Sequence, residues 1–179
     1  MSTVLRLFGL GERHPGVTNA LGDAYAEAAS VCLSQHHESP IEVAAHYKKS
    51  ESNCVLPWVE PTSAVLRAYS NELDATEQGA YAVSFAAVEA LAGLVAVRRA
   101  ETLTGADYYV APIGTDPEDM ESCLRMEVSG VGAGNETIIR ARLRQKLRQT
   151  ENGRSNLPAL AAVVGFRERL IAIAHMGDE

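Results

Sequence analysis

Between Ala80 and Val97 the chain is almost wholly apolar, broken only by Ser84, Glu89 and Gly93. A helix that is apolar around most of its circumference has no broad side to show to water, so sheet or other helices must wrap it. Asp74 and Glu77 stand three residues apart just ahead of this run, the spacing of a capping box. The pattern predicts one long helix over 75–103, serving as the spine of the core.

The rest of the chain has to supply that covering. "VLRLFGL" near the start reads as a short strand, and "GERHPG" as a turn. Residues 17–35 place Leu21, Tyr25, Ala28, Val31 and Cys32 at helical spacing. "SPIEVAAHY" suits a strand, "KKSESN" a polar turn, and "VLPWVEPTSAVLRAYSNEL" a strand-like start interrupted by prolines. "ADYYVAPIG" (106–114) and "CLRMEVSGV" flank an acidic turn, "TDPEDMES", and are expected to pair antiparallel. Helical spacing returns over 136–150 with Ile139, Leu143 and Leu147 on one face, and "LPALAAVVGF" and "RLIAIAHM" close the chain as buried strands joined by a tight turn. The fold class is α/β (α+β): a central mixed sheet packed by helices around 17–35, 75–103 and 136–150. With no internal repeat, linker or low-complexity tract, residues 1–179 read as a single domain.

Composition narrows the function. A formal net charge of −7 with a sequence pI near 5.3 argues against a general nucleic-acid coat or an anionic-membrane binder, so any basic patch must be local. Cys32, Cys54 and Cys123 lie far apart with no CxxC pair, which points to reduced thiols and a cytoplasmic protein. No apolar run approaches the roughly 20 residues that span a bilayer, so no membrane contact is expected. "GVGAGN" lacks both the GxxxxGK[ST] lysine and the GxGxxG spacing and reads as a flexible turn. The five histidines have no metal-ligand spacing, and no GxSxG serine or Cys/His pairing is present.

Two features carry chemistry. "LRMEVSG" puts Glu127 inside an apolar strand, one hairpin away from Asp107 in "GADYYV". From residue 75 onward the order helix, strand with Asp107, strand with Glu127, helix, strand resembles the core of the PD-(D/E)XK nuclease-like superfamily, over roughly residues 75–166. The resemblance implies a restriction-endonuclease-like αβββαβ core. It further implies Asp107 and Glu127 as metal-binding acids, with Glu77 or Glu89 as a helical third, and Mg²⁺ or Mn²⁺ as cofactor if the acids converge. Where that pattern has the lysine of ExK, this chain has Ser129, and Lys146 on the following helix is the nearest replacement. The plainer reading makes Glu127 an edge-strand acid, or a partner for Arg125 or for an arginine of the next helix.

The second feature is "RARLRQKLR", with Arg140, Arg144 and Arg148 at i, i+4 and i+8, and Arg142 and Lys146 on a neighbouring stripe. These cations suit phosphates near the acids, or an acidic partner, or a solvated helix face. Three functions follow as expectations. The first is a nuclease-like domain without the usual catalysis, binding as a subunit or adaptor in a nucleic-acid-handling or defence assembly, with a protein partner or a second copy. Next comes an active Mg²⁺-dependent nuclease using Asp107, Glu127 and Lys146. The last is a structural oligomerisation module built on the long apolar helix, with no cleft at the acids.

Overall fold

The computed structural model describes residues 2–178. Its centre is α4 (Glu72–Ala92), whose side chains from Ala80 to Val88 are all buried. The helix starts three residues earlier than the capping-box spacing implied. Asn71 is the cap, its Oδ1 accepting from the backbone N–H of Leu73 and Asp74 at 3.1 and 3.2 Å. It also ends eleven residues short of the expected 103. Gly93 adopts φ 63°, ψ 31°, and its N–H closes on the Glu89 carbonyl. That left-handed turn releases Leu94–Arg99 as a strand, β4.

The other elements are β1 (Thr3–Val4), α1 (Leu10–Arg13), α2 (Asn19–Ser34), β2 (Ile41–Tyr47), β3 (Ser50–Leu56), α3 (Ser63–Ala68), β5 (Tyr108–Pro112), β6 (Leu124–Val131), α5 (Glu136–Glu151), β7 (Ala159–Gly165) and β8 (Leu170–His175). The expected first strand is reduced to two residues, because Leu10 already begins α1. Of the polar "KKSESN" segment only Lys48 and Lys49 turn, and Ser50 onward pairs with β2.

All eight strands form one mixed sheet in the order β1-β3-β2-β8-β7-β6-β5-β4, so the first quarter of the chain completes the sheet of the last. β5 and β6 pair antiparallel as expected, β7 lies parallel to β6, and β7 and β8 form an antiparallel hairpin. Alternation sorts the side chains by face. Met126, Val128, Leu160 and Ala162 join the large core with α2 and α4, whereas Val131, Val163, Leu170 and Ala172 pack with Ile139 and Leu143 of α5. Tyr108 and Tyr109 divide likewise, both buried, one in the large core and the other in a smaller cluster with Val95, Val97 and Cys123. No helix of the described residues is long and apolar enough to cross a membrane.

Candidate functional site

Glu127 does not sit on an edge, since β6 is an interior strand between β5 and β7. Its side chain points to the α5 side, where helix and strand repeat nearly in step. A strand advances about 6.6 Å in two residues and an α-helix about 6 Å in four. Antiparallel to each other, they stand in three rungs. Arg142 Nη1 donates to Ser129 Oγ at 3.1 Å, Lys146 Nζ to Glu127 Oε1 at 2.6 Å, and Arg125 Nη1 to the Thr150 carbonyl at 2.8 Å. Arg125 is therefore not the partner of Glu127. It lies wholly buried, donating also to the carbonyls of Thr104 and Leu157.

Asp107 comes to the same place from the start of β5. Its N–H donates to the Met126 carbonyl and its Oδ2 accepts from the Val128 N–H at 2.8 Å, which fixes the carboxylate against β6. Glu127 lines the same cleft as Asp107. The Glu127 side chain is 4% exposed, that of Lys146 19% and that of Asp107 20%, so solvent reaches the group from one side. Burial and the Asp107 charge push Glu127 up to about 7, against the pull of Lys146. Glu127 can therefore hold or release a proton near neutrality.

Arg99 closes the group from the far side. Its guanidinium lies over the rings of Tyr81 and Tyr108, 5.2 and 4.9 Å from their centroids, and its Nη2 is 3.9 Å from Asp107 Oδ1. Burial, then the neighbouring Asp107, holds the Tyr81 hydroxyl well above the usual phenol range. The acids and Arg99 open on a polar cleft of about 600 Å³, bordered by the loop 100–106, by Gln149 in the last turn of α5 and by Asn152 and Gly153 after it. Comparison with protein-family models, curated proteins and solved structures finds no significant match.

The remaining candidates separate. Glu89 lies at the other end of α4, accepting from Arg13 Nε at 2.9 Å and Arg6 Nη2 at 3.3 Å, with His14 Nε2 at 3.3 Å, so it ties α1 to α4 and takes no part in the cleft. Glu77 is exposed on the first half of α4, and among the described residues no three His, Cys, Asp or Glu side chains are grouped to hold a metal ion. Arg140 pairs with Glu136 at 2.8 Å and donates to His46 Nδ1, while Arg144 and Arg148 are exposed. Sequence reasoning missed Arg99, which falls beside Arg98 inside the span expected to be helix, and named Arg125 only as a partner for Glu127. Only tertiary packing shows which way the two point.

Proposed function

We propose that the cleft is a divalent-metal-dependent phosphodiesterase site acting on nucleic acid, of the PD-(D/E)XK-like kind, with Asp107, Glu127 and Lys146 as its working groups. One observation carries the reading: Lys146 Nζ stands 2.6 Å from Glu127 Oε1, and Glu127 lines with Asp107 a cleft of about 600 Å³. A helix lysine thereby supplies the cation that Ser129 lacks. The succession α4-β4-β5-β6-α5-β7, with β7 parallel to β6, adds support because it is the αβββαβ order that the resemblance implies. Against the oligomerisation alternative stands the burial of α4 from Ala80 to Val88 within its own chain.

Two hard carboxylates side by side fit Mg²⁺ or Mn²⁺, which are commonly bound through one or two carboxylates with water and phosphate oxygens in the other positions. Such an ion lowers the pKa of a water and offsets charge at phosphorus. The chain's own residues do the rest. Val128 N–H orients Asp107, and Gln149 Oε1, 3.3 Å from Nζ, helps to hold the ammonium where a nonbridging phosphate oxygen or the attacking water would lie. Arg99 at the mouth favours an anionic substrate. The three cysteines are buried and free, which agrees with a cytoplasmic setting.

Single-stranded and duplex DNA and RNA, incubated with Mg²⁺ or Mn²⁺, test the proposal. Asp107→Asn, Glu127→Gln and Lys146→Met are each expected to lower cleavage by roughly 10²- to 10⁴-fold. Absence of cleavage of all four substrates, or wild-type rates in the variants, refutes it. A second reading, binding without hydrolysis in a nucleic-acid-handling or defence assembly, is favoured by the absence of a third acid beside the pair among the described residues. That reading predicts tight nucleic-acid or protein binding with no turnover in either metal.

A further inference from the structure

On the opposite flank of α5 from the cleft lies a second depression, of about 270 Å³, lined by His46, Lys48, Lys49, Glu51, Arg140 and Leu143 among others. Cations from two separate elements meet there: the Lys48-Lys49 turn between β2 and β3, and the first half of α5. Between this depression and the cleft stands only the outer face of the helix. From Thr137 to Gln149 that helix contains no acid and carries Arg140, Arg142, Arg144, Lys146 and Arg148, five of the sixteen lysines and arginines of a chain whose net charge is −7.

Arg142 and Lys146 face β6. The other three take a diagonal course. Each four-residue step advances about 6 Å and turns about 40° around the axis. Arg140 stands beside His46, its Nη2 2.8 Å from Nδ1. From there the stripe climbs over the solvent side through Arg144 to Arg148, next to Gln149, which borders the cleft. Arg144 and Arg148 are exposed and form no side-chain hydrogen bond or ion pair among the described residues, and Lys49 is likewise free of both. Glu136, paired with Arg140, and Glu151 stand at the two ends of α5, and between them Arg144 and Arg148 have no acid three or four residues towards the helix start to offset them.

We propose that the phosphate backbone of a nucleic-acid strand crosses the outer face of α5, held by Lys48 and Lys49 at one end and by Arg140, Arg144 and Arg148 over the helix, and enters the cleft beside Gln149. The proposal rests on the phosphodiester reading of the cleft for the direction of the track, while the track itself follows from the arrangement of cations. Recognition is of phosphate and is independent of sequence, because the contacts are point charges with no element placed to read base edges.

Fluorescence anisotropy with labelled single-stranded and duplex DNA and RNA, in chelator so that nothing is cut, is the experiment. Arg144→Ala/Arg148→Ala is expected to weaken binding about tenfold and to reduce the slope of log affinity against log salt by about two. Lys49→Ala should reduce the slope by about one, and Arg67→Ala, which removes an exposed arginine on α3, should bind like wild type. The four probes show whether a single strand or a duplex occupies the track. Wild-type affinity and slope in the arginine variant would overturn the proposal, as would failure of the wild type to bind any probe, or equal binding of poly-glutamate. Binding through the track with no cleavage in metal would refute hydrolysis alone. Cleavage with unchanged binding in the track variants would refute the track alone.

Discussion

Arg125 holds its charge without an ion pair among the described residues. Its guanidinium is enclosed by the carbonyls of Thr104, Thr150 and Leu157 at 2.7 to 3.0 Å, and burial pushes its pKa down. Thr150 belongs to the last turn of α5, so the negative end of the helix dipole offsets part of the desolvation. The three carbonyls come from three segments around the cleft, which makes Arg125 a fastener of its floor. Arg125→Met should cost about 3–5 kcal/mol in urea unfolding, because buried carbonyls are left without donors. Arg125→Lys should recover less than half of that, since an ammonium cannot fork to three acceptors in this geometry. His14 gives a pH test. Its Nδ1 accepts from the Ala96 N–H at 3.0 Å, and burial holds its pKa below 6.5 despite Glu89. The unfolded chain therefore binds more protons than the folded one below about pH 6.5, and stability must fall as pH drops through that value. His36 and His175 are lowered too and add slopes of the same sign. The part belonging to His14 is the difference between wild type and His14→Gln, and equal slopes for the two proteins would remove it.

Helix against helix, the constraint is space. A Cβ on Gly79 would lie 2.9 Å from the backbone N and Cα of Ala29, where α4 crosses α2. Alanine is worth about 1 kcal/mol over glycine within an isolated helix. The overlap is expected to reverse that, making Gly79→Ala net destabilising by about 1–3 kcal/mol in thermal or urea unfolding. The same helix shows where sequence periodicity stops being informative. In "ALAGLVAVRR" every position before Arg98 is apolar or glycine, so a helix and a buried strand look alike, and Gly93 was read as an interruption instead of an end. α2, α5 and the strands from β5 to β8 were legible because polar positions or turn residues mark their phase or their ends. Glu127 stood out as a charge within an apolar strand, whereas Asp107 and Lys146 were named through the resemblance to the PD-(D/E)XK nuclease-like superfamily. Choosing between Glu77 and Glu89 required three-dimensional knowledge. They lie twelve residues apart on one helix, and Glu89 is taken by Arg13, a partner supplied by a distant segment.

For the molecule as a whole, one sheet joins the two ends of the chain through the parallel pairing of β2 with β8. Anything that binds the cleft of the folded state therefore stabilises the entire sheet. If Mn²⁺ binds the acid pair, the melting temperature must rise with metal concentration, by the equivalent of about 2.7 kcal/mol at a hundred times Kd, and chelator must reverse it. Asp107→Ala should melt at the same temperature with and without metal. A wild-type melting temperature indifferent to millimolar Mn²⁺ would rule out a site of useful affinity. The pairing of β6 with α5 has a consequence of another kind. Two rulers with unequal divisions coincide only over a short stretch, and here the divisions of about 6.6 and 6 Å part by some 0.6 Å per rung. The helix also turns about 40° at each step, about 80° over three rungs, so the run of matched pairs is short. Within the run each strand position has its own seat on the helix, Ser129 with Arg142 and Glu127 with Lys146, so the charge beside the buried acid arrives from the neighbouring layer and depends on the register between helix and strand.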